Sequence, residues 1–335
     1  MDKKKGFKKF LEIRGMGNVI TAFVGLIVIY VVFGLINTKV FSLQNVMNLL
    51  RSMSKYLLVG IGQSYVMITG NIDLSIGSVV AMSTMLMATL MTHGVNPVVA
   101  VIIAMVCGLL IGVMNGLLVG KFKLPPFIAT LGTMFVARGI GYMVNGNRNT
   151  DSIGIVLGKD TSDKVQNAFY YGKILGVYNT FWIALIIFIV FFFILSKTKT
   201  GRHIYAIGSN VDAAKLSGVD VVKTTIKAYL VSAFCAVIAG IILCAQAGMG
   251  NMEAGNMYEM YGVAAGVIGG VSPLGGSGLL LGTFAGASVW QTLENGLNMV
   301  GAPVGIQRVV IGVIVVLAVL LDLIIRTGNK NIKKK

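Results

Sequence analysis

From residue 97 to residue 119 the chain reads PVVAVIIAMVCGLLIGVMNGLLV, without one charged side chain, and it then turns to Lys121 and Lys123. At about 1.5 Å of rise per residue, a helix over this run crosses a hydrocarbon core of about 30 Å. Its surroundings are of the same kind. Of 335 residues 56% are hydrophobic and only 12% charged, where a soluble domain carries about 25% charged residues. A water-soluble fold is excluded. The apolar content also excludes collagen-like and disordered chains, although there are 43 Gly against 5 Pro.

Ten such runs are expected, over roughly 18–36, 56–70, 76–93, 97–119, 127–144, 180–196, 228–247, 260–272, 278–297 and 307–325. The fold class is therefore all-α, a single polytopic membrane domain over 1–335. The second and eighth runs are short and flecked with polar residues, which marks spans that are broken or buried inside the bundle, because lipid does not tolerate exposed backbone. Residues 38–55 alternate apolar and polar side chains at helical spacing and read as a segment lying along an interface. No cleavable leader is expected, since the apolar run after Lys3 to Arg14 is too long for one.

A net charge of +16 would suit a nucleic-acid binder only if the basic residues gathered on one solvated face. Most of them lie between apolar runs, so no nucleic acid is expected. Segments before span 1, between spans 4 and 5, between spans 6 and 7 and after span 10 hold most of the Lys and Arg. The positive-inside rule makes these cytoplasmic, with both termini inside. Cys107, Cys235 and Cys244 lie in apolar stretches and read as small core residues; His93 and His203 are isolated, so no metal site is expected.

Asn115-Gly116-Leu117, followed by Pro125, has a counterpart in Asn295-Gly296-Leu297, followed by Pro303. The first lies at an inner connection and the second at an outer one, so helices 2–5 and 7–10 read as an inverted repeat.

Two hydrophilic connections stand out. The outer one, 145–179, reads as an extracytoplasmic cap. The inner one, 197–227, contains a short helix with both ends marked: Ser209 or Asn210 can accept from first-turn amides, Asp212 faces the positive dipole end, and Gly218 supplies a left-handed stop. Two helical turns are marginal alone, so packing against the bundle or a partner is expected to hold them. On helix physics alone an ordinary surface helix remains the competing reading, with Ala213 and Ala214 as a small surface for close approach.

The run Gly201-Arg202 through Gly208, Asn210, Asp212, Ala213-Ala214 and Ser217-Gly218 resembles the cytoplasmic coupling segment of bacterial ABC-type sugar permeases, the ribose and galactoside branch. Gly70-Asn71-Ile72-Asp73-Leu74-Ser75-Ile76-Gly77-Ser78, Pro126-Phe127-Ile128-Ala129-Thr130-Leu131-Gly132-Thr133 and the weaker Gly269-Gly270 and Gly275-Gly276 pairs are similar as well. The resemblance implies a permease subunit, not an enzyme, in a bacterial inner membrane. It implies two permease subunits, homo- or heterodimeric, two cytoplasmic ATPase subunits docked on the loop, and an extracytoplasmic binding protein that delivers a monosaccharide for translocation by alternating access. ATP would be used by the partner; this sequence has no Gly-x-x-x-x-Gly-Lys-Ser/Thr loop, and no cofactor of its own is expected.

Ionisable and amide side chains within spans each need a reason. Asp73 and Ser75 lie at the inner break between spans 2 and 3, where capping of span 3 is the favoured role and gating the alternative. Arg138 is open between structural pairing and pathway lining. Glu294 and Asp322 are near span ends, within reach of interfacial water. Gln63, Gln246 and Gln291 are expected foremost to tie helices together, and otherwise to meet solute hydroxyls. The competing functional readings are an ion-coupled secondary transporter of a small polar solute, or an ABC permease for a nucleoside or branched-chain amino acid. This topology predicts that cysteines introduced between residues 200 and 220 react with a thiol reagent only when it can reach the cytosol. Labelling from outside intact cells would overturn the topology.

Overall fold

The computed structural model describes residues 16–310, 312–314, 316, 317 and 320. The basic stretch Lys3 to Arg14, Asp322 and the tail lysines from Lys330 onward lie outside the described residues. Among the described residues the transmembrane elements are α1 (Met16–Ile36), α2 (Leu43–Ile68), α3 (Ile76–Thr92), α4 (Pro97–Gly120) and α5 (Pro126–Met143). After them come the small helices α6 (Ile153–Val156) and α7 (Lys159–Gln166), a two-residue-per-strand hairpin β1 (Lys173–Ile174) and β2 (Val177–Tyr178), and α8 (Asn179–Lys197). The chain continues through α9 (Lys199–Ser209), α10 (Val211–Leu216), α11 (Val221–Ala247), α12 (Tyr258–Ile268) and α13 (Leu280–Met299), and an apolar helix starts at Val304. The architecture is all-α and polytopic.

Burial sorts the helices into two layers. In the most apolar stretch of α11, 72% of the residues are buried inside the protein, against 17%, 28% and 22% for α1, α4 and α8. The last three lie at the periphery of the bundle, while α11 shares the centre with α2, α3 and α12. From Tyr56 to Ile68 every residue of α2 is buried. A small-residue stripe lets α4 approach α11: Gly112 lies under Ala233 and the Tyr229 carbonyl, and Gly116 under Ile226.

Residues 38–55 do not form a separate interfacial segment. Asn37 and Ser42 cap a single 3-10 turn (Thr38–Phe41) and then α2, which runs without interruption from Leu43 into the core. No Pro or Gly interrupts the helix between Leu43 and Val59, and Arg51 stacks on Tyr178 at 4.2 Å and Tyr170 at 4.8 Å instead of lying in a headgroup layer.

The break expected between spans 2 and 3 is present, and a second, not singled out from sequence, follows α11; both reach the bundle interior. Residues 69–75 separate α2 from α3 and residues 248–257 separate α11 from α12. They meet back to back. A Cβ on Gly77 would collide with the Gly255 carbonyl, and one on Gly255 with the Gly77 carbonyl. Glycine is required at both positions, and at Gly255 its φ of +70° adds a second reason. The 145–179 connection is fastened to the same place: Thr150 N donates to Gly250 O at 3.1 Å, Gly250 N to Thr150 Oγ1 at 2.8 Å, and Ile153 N to Gly248 O at 2.9 Å.

Replacement of Gly112 by Val should therefore push α4 from α11 and cost about 1–3 kcal/mol, read as a lower thermal midpoint in detergent. Gly132 has nothing within 4 Å of its would-be Cβ. Gly132→Ala should instead leave the midpoint unchanged or raise it, by about 0.5–1 kcal/mol of helix propensity.

Candidate functional site

Two regions collect the residues that chemistry singles out, one at the Ile68 end of α2 and one beside its middle, at Lys55. At the end carrying the 197–227 connection, the structure contains two helices where the sequence reading gave one. Thr198 caps α9, its Oγ1 accepting from Gly201 N at 3.5 Å. Asn210 then ends α9 through its own amide and starts α10 by accepting from Ala213 N at 2.9 Å. Gly218, at φ +79°, stops α10 as expected. At the start of α11, hydrogen bonds from the Lys223 backbone and ammonium hold the Asp220 carboxyl below the usual carboxylate range.

Local sequence does not show α9, in which Gly201 and Gly208 serve close packing. A side chain at 201 would strike the Leu195 carbonyl, and one at 208 would strike the Ile68 carbonyl at the end of α2 and lie 2.6 Å from Gly276 N. Gly276 N in turn donates to Ile68 O at 2.9 Å, and Tyr205 OH to Gly278 O at 2.7 Å. Helix α9 is thus wedged between the end of α2 and the turn that precedes α13. Outward, α10 presents Asp212, Ala213 and Ser217 beside Val211 and Leu216, the last 90% exposed. Ala214, grouped with Ala213 in the sequence, faces inward and is buried. Arg202 is exposed.

The interruption before α3 is organised by Asp73, which is 2% exposed. Its Oδ1 accepts from Ser75 N at 2.9 Å and Ser75 Oγ at 2.6 Å, and its Oδ2 from Ser232 Oγ of α11 at 2.7 Å. Ser75 Oγ accepts from Asn115 Nδ2 at 2.8 Å, and Asn115 Oδ1 accepts from Thr133 at 2.5 Å. Tyr229 OH covers the Ile72 carbonyl at 3.0 Å. The network joins α3, α4, α5 and α11. The capping favoured from sequence is not made, since Ser75 precedes α3 in helical conformation and neither its hydroxyl nor the Asp73 carboxylate accepts from a first-turn amide. The hydroxyl is engaged by Asn115 and the carboxylate by Ser232, partners that local sequence could not indicate. Asn115, Thr133, Ser232 and Tyr229 come from three distant segments.

Arg138 pairs with backbone: its Nη1 donates to Met252 O at 2.9 Å and Ala254 O at 3.1 Å, holding the segment before α12. Glu294 accepts from Tyr56 OH at 2.8 Å within a cluster of Tyr56, Tyr258, Tyr261 and Trp290 rings, so it is held by protein rather than by interfacial water alone. The expected tying role of the glutamines falls to other groups. Both amide atoms of the fully buried Gln63 lack a hydrogen-bond partner, as do the Oε1 atoms of Gln246 and Gln291. The helices are joined instead by Ser64 with Thr283 at 2.7 Å and by the reciprocal Asn45 and Asn295 amides at 3.1 and 3.0 Å.

At the end carrying the 145–179 connection a cavity of about 460 Å³ opens between α2, α11 and residues 251–258, with Lys55, Gln246, Asn251, Glu253, Asn256 and Tyr258 on its walls. Lys55, Glu253 and Asn256 were not singled out from sequence. Nothing in their local spacing marks them, since the cavity exists only where α2, α3, α11, Tyr171 of the 145–179 connection and residues 251–258 meet. Among the described residues no group of three or more His, Cys, Asp or Glu could hold a metal ion.

Residues 45–319 match the family described as branched-chain amino acid transport system / permease component. The chain is 35% identical to the ribose import permease protein of Bacillus subtilis (strain 168), over 94% of this chain and 96% of the relative. It is 36% identical to the ribose import permease protein of Escherichia coli (strain K12), over 89% and 92%, and 32% identical to the D-allose transport system permease protein of the same strain, over 90% of each. No solved structure matches the chain.

Asp73→Ala strips acceptors from Ser232 and from the Ser75 amide and hydroxyl, and should cost about 2–5 kcal/mol. Gln63→Leu removes two unpaired polar atoms and should leave stability unchanged or raised, because each such atom costs about 1–3 kcal/mol. Thermal midpoints of the purified variants in detergent check both.

Proposed function

We propose that this chain, which belongs to the branched-chain amino acid transport system / permease component family, is the membrane subunit of an ATP-binding-cassette importer that passes a monosaccharide inward by alternating access. The observation that carries the reading is α9 and α10, a helix pair seated on the end of α2 and presenting exposed Val211, Asp212, Ala213 and Leu216 to whatever lies beyond the bundle. An exposed apolar edge on a two-turn helix is the kind of surface a partner covers. In this reading the partner is a cytoplasmic ATPase subunit. Two permease copies, identical or related, form the pathway, both termini are cytoplasmic, and a binding protein delivers the solute at the end carrying the 145–179 connection. The bilayer is that of the bacterial inner membrane.

The monosaccharide is supported by the printed roles of the relatives, ribose and D-allose transport. An ion-coupled carrier fits less well. Such a carrier wants carboxylates free to titrate near the midplane, whereas the two singled out in the spans are engaged, Asp73 accepting three hydrogen bonds and Glu294 one from Tyr56. The mechanical step follows from the packing. ATPase closure displaces α10 and α9, and because α9 rests backbone to backbone on Ile68 and Gly276, the displacement is passed to α2 and to the turn before α13 without a flexible link.

In proteoliposomes containing the complete importer, Ala213→Glu should preserve basal ATP hydrolysis and lower uptake tenfold or more. Gly208→Val should preserve ATPase association and also lower uptake tenfold or more. Wild-type uptake by Ala213→Glu would overturn the docking assignment.

A further inference from the structure

We infer that the pocket between the end of α8, α9 and the turn before α13 holds an anionic phospholipid, with its phosphate against Lys197 and Arg202 and an acyl chain between Phe192, Leu195, Leu279 and Leu281. The inference lies outside the importer reading and needs only that the chain spans a bilayer. The space measures about 690 Å³. That falls within the about 300–1,000 Å³ range of small-molecule sites.

The walls divide by chemistry. Beside the apolar side chains they carry Lys197 and Arg202, and among the described residues no carboxylate. Both basic side chains are exposed, and neither makes a hydrogen bond or an ion pair among the described residues. Their nearness is built into the fold. Helix α9 turns back at Thr198 so tightly that a Cβ on Gly201 would strike the Leu195 carbonyl, which brings the last turn of α8 and the first of α9 to one rim. Two cations without partners favour a phosphate diester, and basic pockets between membrane helices suit anionic headgroups. Ser209, exposed on the same walls, adds a hydroxyl donor.

A free phosphate would meet the rim and leave the apolar walls uncovered, whereas a lipid covers both. Ile189 and Phe193 are exposed and stand about one turn before Ser196 and Lys197 on the same side of α8, so apolar surface continues from the pocket along the span. The chain's own residues 1–15, which join the wall at Met16, are the competing occupant. They carry Lys3, Lys4, Lys5, Lys8, Lys9 and Arg14 against Asp2 and Glu12, so they add to the positive charge of the rim instead of neutralising it. A lipid seated here also touches Tyr205 and Ala206, and so braces α9 against α8.

The test uses the full chain purified in a neutral detergent, with the thermal midpoint as readout. Dioctanoyl phosphatidylglycerol, dioctanoyl phosphatidylcholine and inorganic phosphate are the probes, at one concentration that saturates the first. Phosphatidylglycerol should raise the midpoint by about 3 °C or more, and each of the others by about 1 °C or less. Lys197→Gln combined with Arg202→Gln should keep the midpoint measured without lipid, because both side chains are exposed, and should lose the difference between the two lipids. Ser196→Trp, which narrows the pocket and keeps both cations, should lose the response to phosphatidylglycerol. An equal response to phosphatidylcholine would overturn the anionic headgroup, and an equal response to inorganic phosphate would overturn the lipid in favour of a free anion. A full response in the double variant or in Ser196→Trp would overturn the site. No response in the unsubstituted chain would overturn the lipid in favour of residues 1–15. Transport plays no part in the measurement, so its outcome is separate from the importer reading.

Discussion

Backbone that leaves a helix at membrane depth must find hydrogen bonds inside the protein, and the rest of this structure is arranged around that requirement at two places. Before α3, Asp73 gathers the Ser75 amide and hydroxyl and reaches Ser232, while Tyr229 covers the Ile72 carbonyl. Before α12, Arg138 caps two carbonyls and Thr150 of the outer connection bonds Gly250 in both directions. The two interruptions then touch through Gly77 and Gly255 with no room for a side chain between them. Their mutual contact keeps Asp73 to Ser75 and Gly255 in the interior, while Asn251, Glu253, Asn256 and Met257 stay exposed. It also explains the layers, since α2 and α11 flank both interruptions and must be buried, leaving α1, α4 and α8 at the periphery.

That arrangement bears directly on transport. The interruptions are where an apolar bundle exposes polar groups to an internal space, and the cavity beside Gln246 and Tyr258 is found at one of them. Helix α2 runs past both. Its Ile68 end is gripped by α9 through backbone contacts at Gly208 and Gly276, and its Lys55 region borders the cavity. Close-packed interiors are bistable rather than continuously deformable, so a shift imposed at one end of such a helix is expected to arrive at the other as a change of packing.

Much of this was legible in the chain. The spans follow from apolar runs of the right length, and the predicted starts of α3, α4 and α8 agree with the structure within a residue. Asn210 and Gly218 were identified as the ends of α10 because capping is written in a few adjacent residues. The exceptions share one cause. The sequence reading began its helix at Asn210 and left α9 out, and in α9 Gly201 and Gly208 are required by backbone contact that local sequence does not show. Residues 38–55 read as interfacial because their amphipathic pattern does not reveal that the helix continues inward. Ala213 and Ala214 read as one surface, and only packing turned Ala214 away from solvent.

Sequence alone therefore determined the solvent, the all-α class, the break before α3 and the ends of α10, because each depends on residues close together along the chain. Tertiary structure decided the partners of Asp73 and Arg138, the unpaired state of Gln63, and the joining of Lys55, Gln246 and Glu253 around one cavity. These depend on contacts between segments more than a hundred residues apart, and such contacts leave no periodic mark in a single chain.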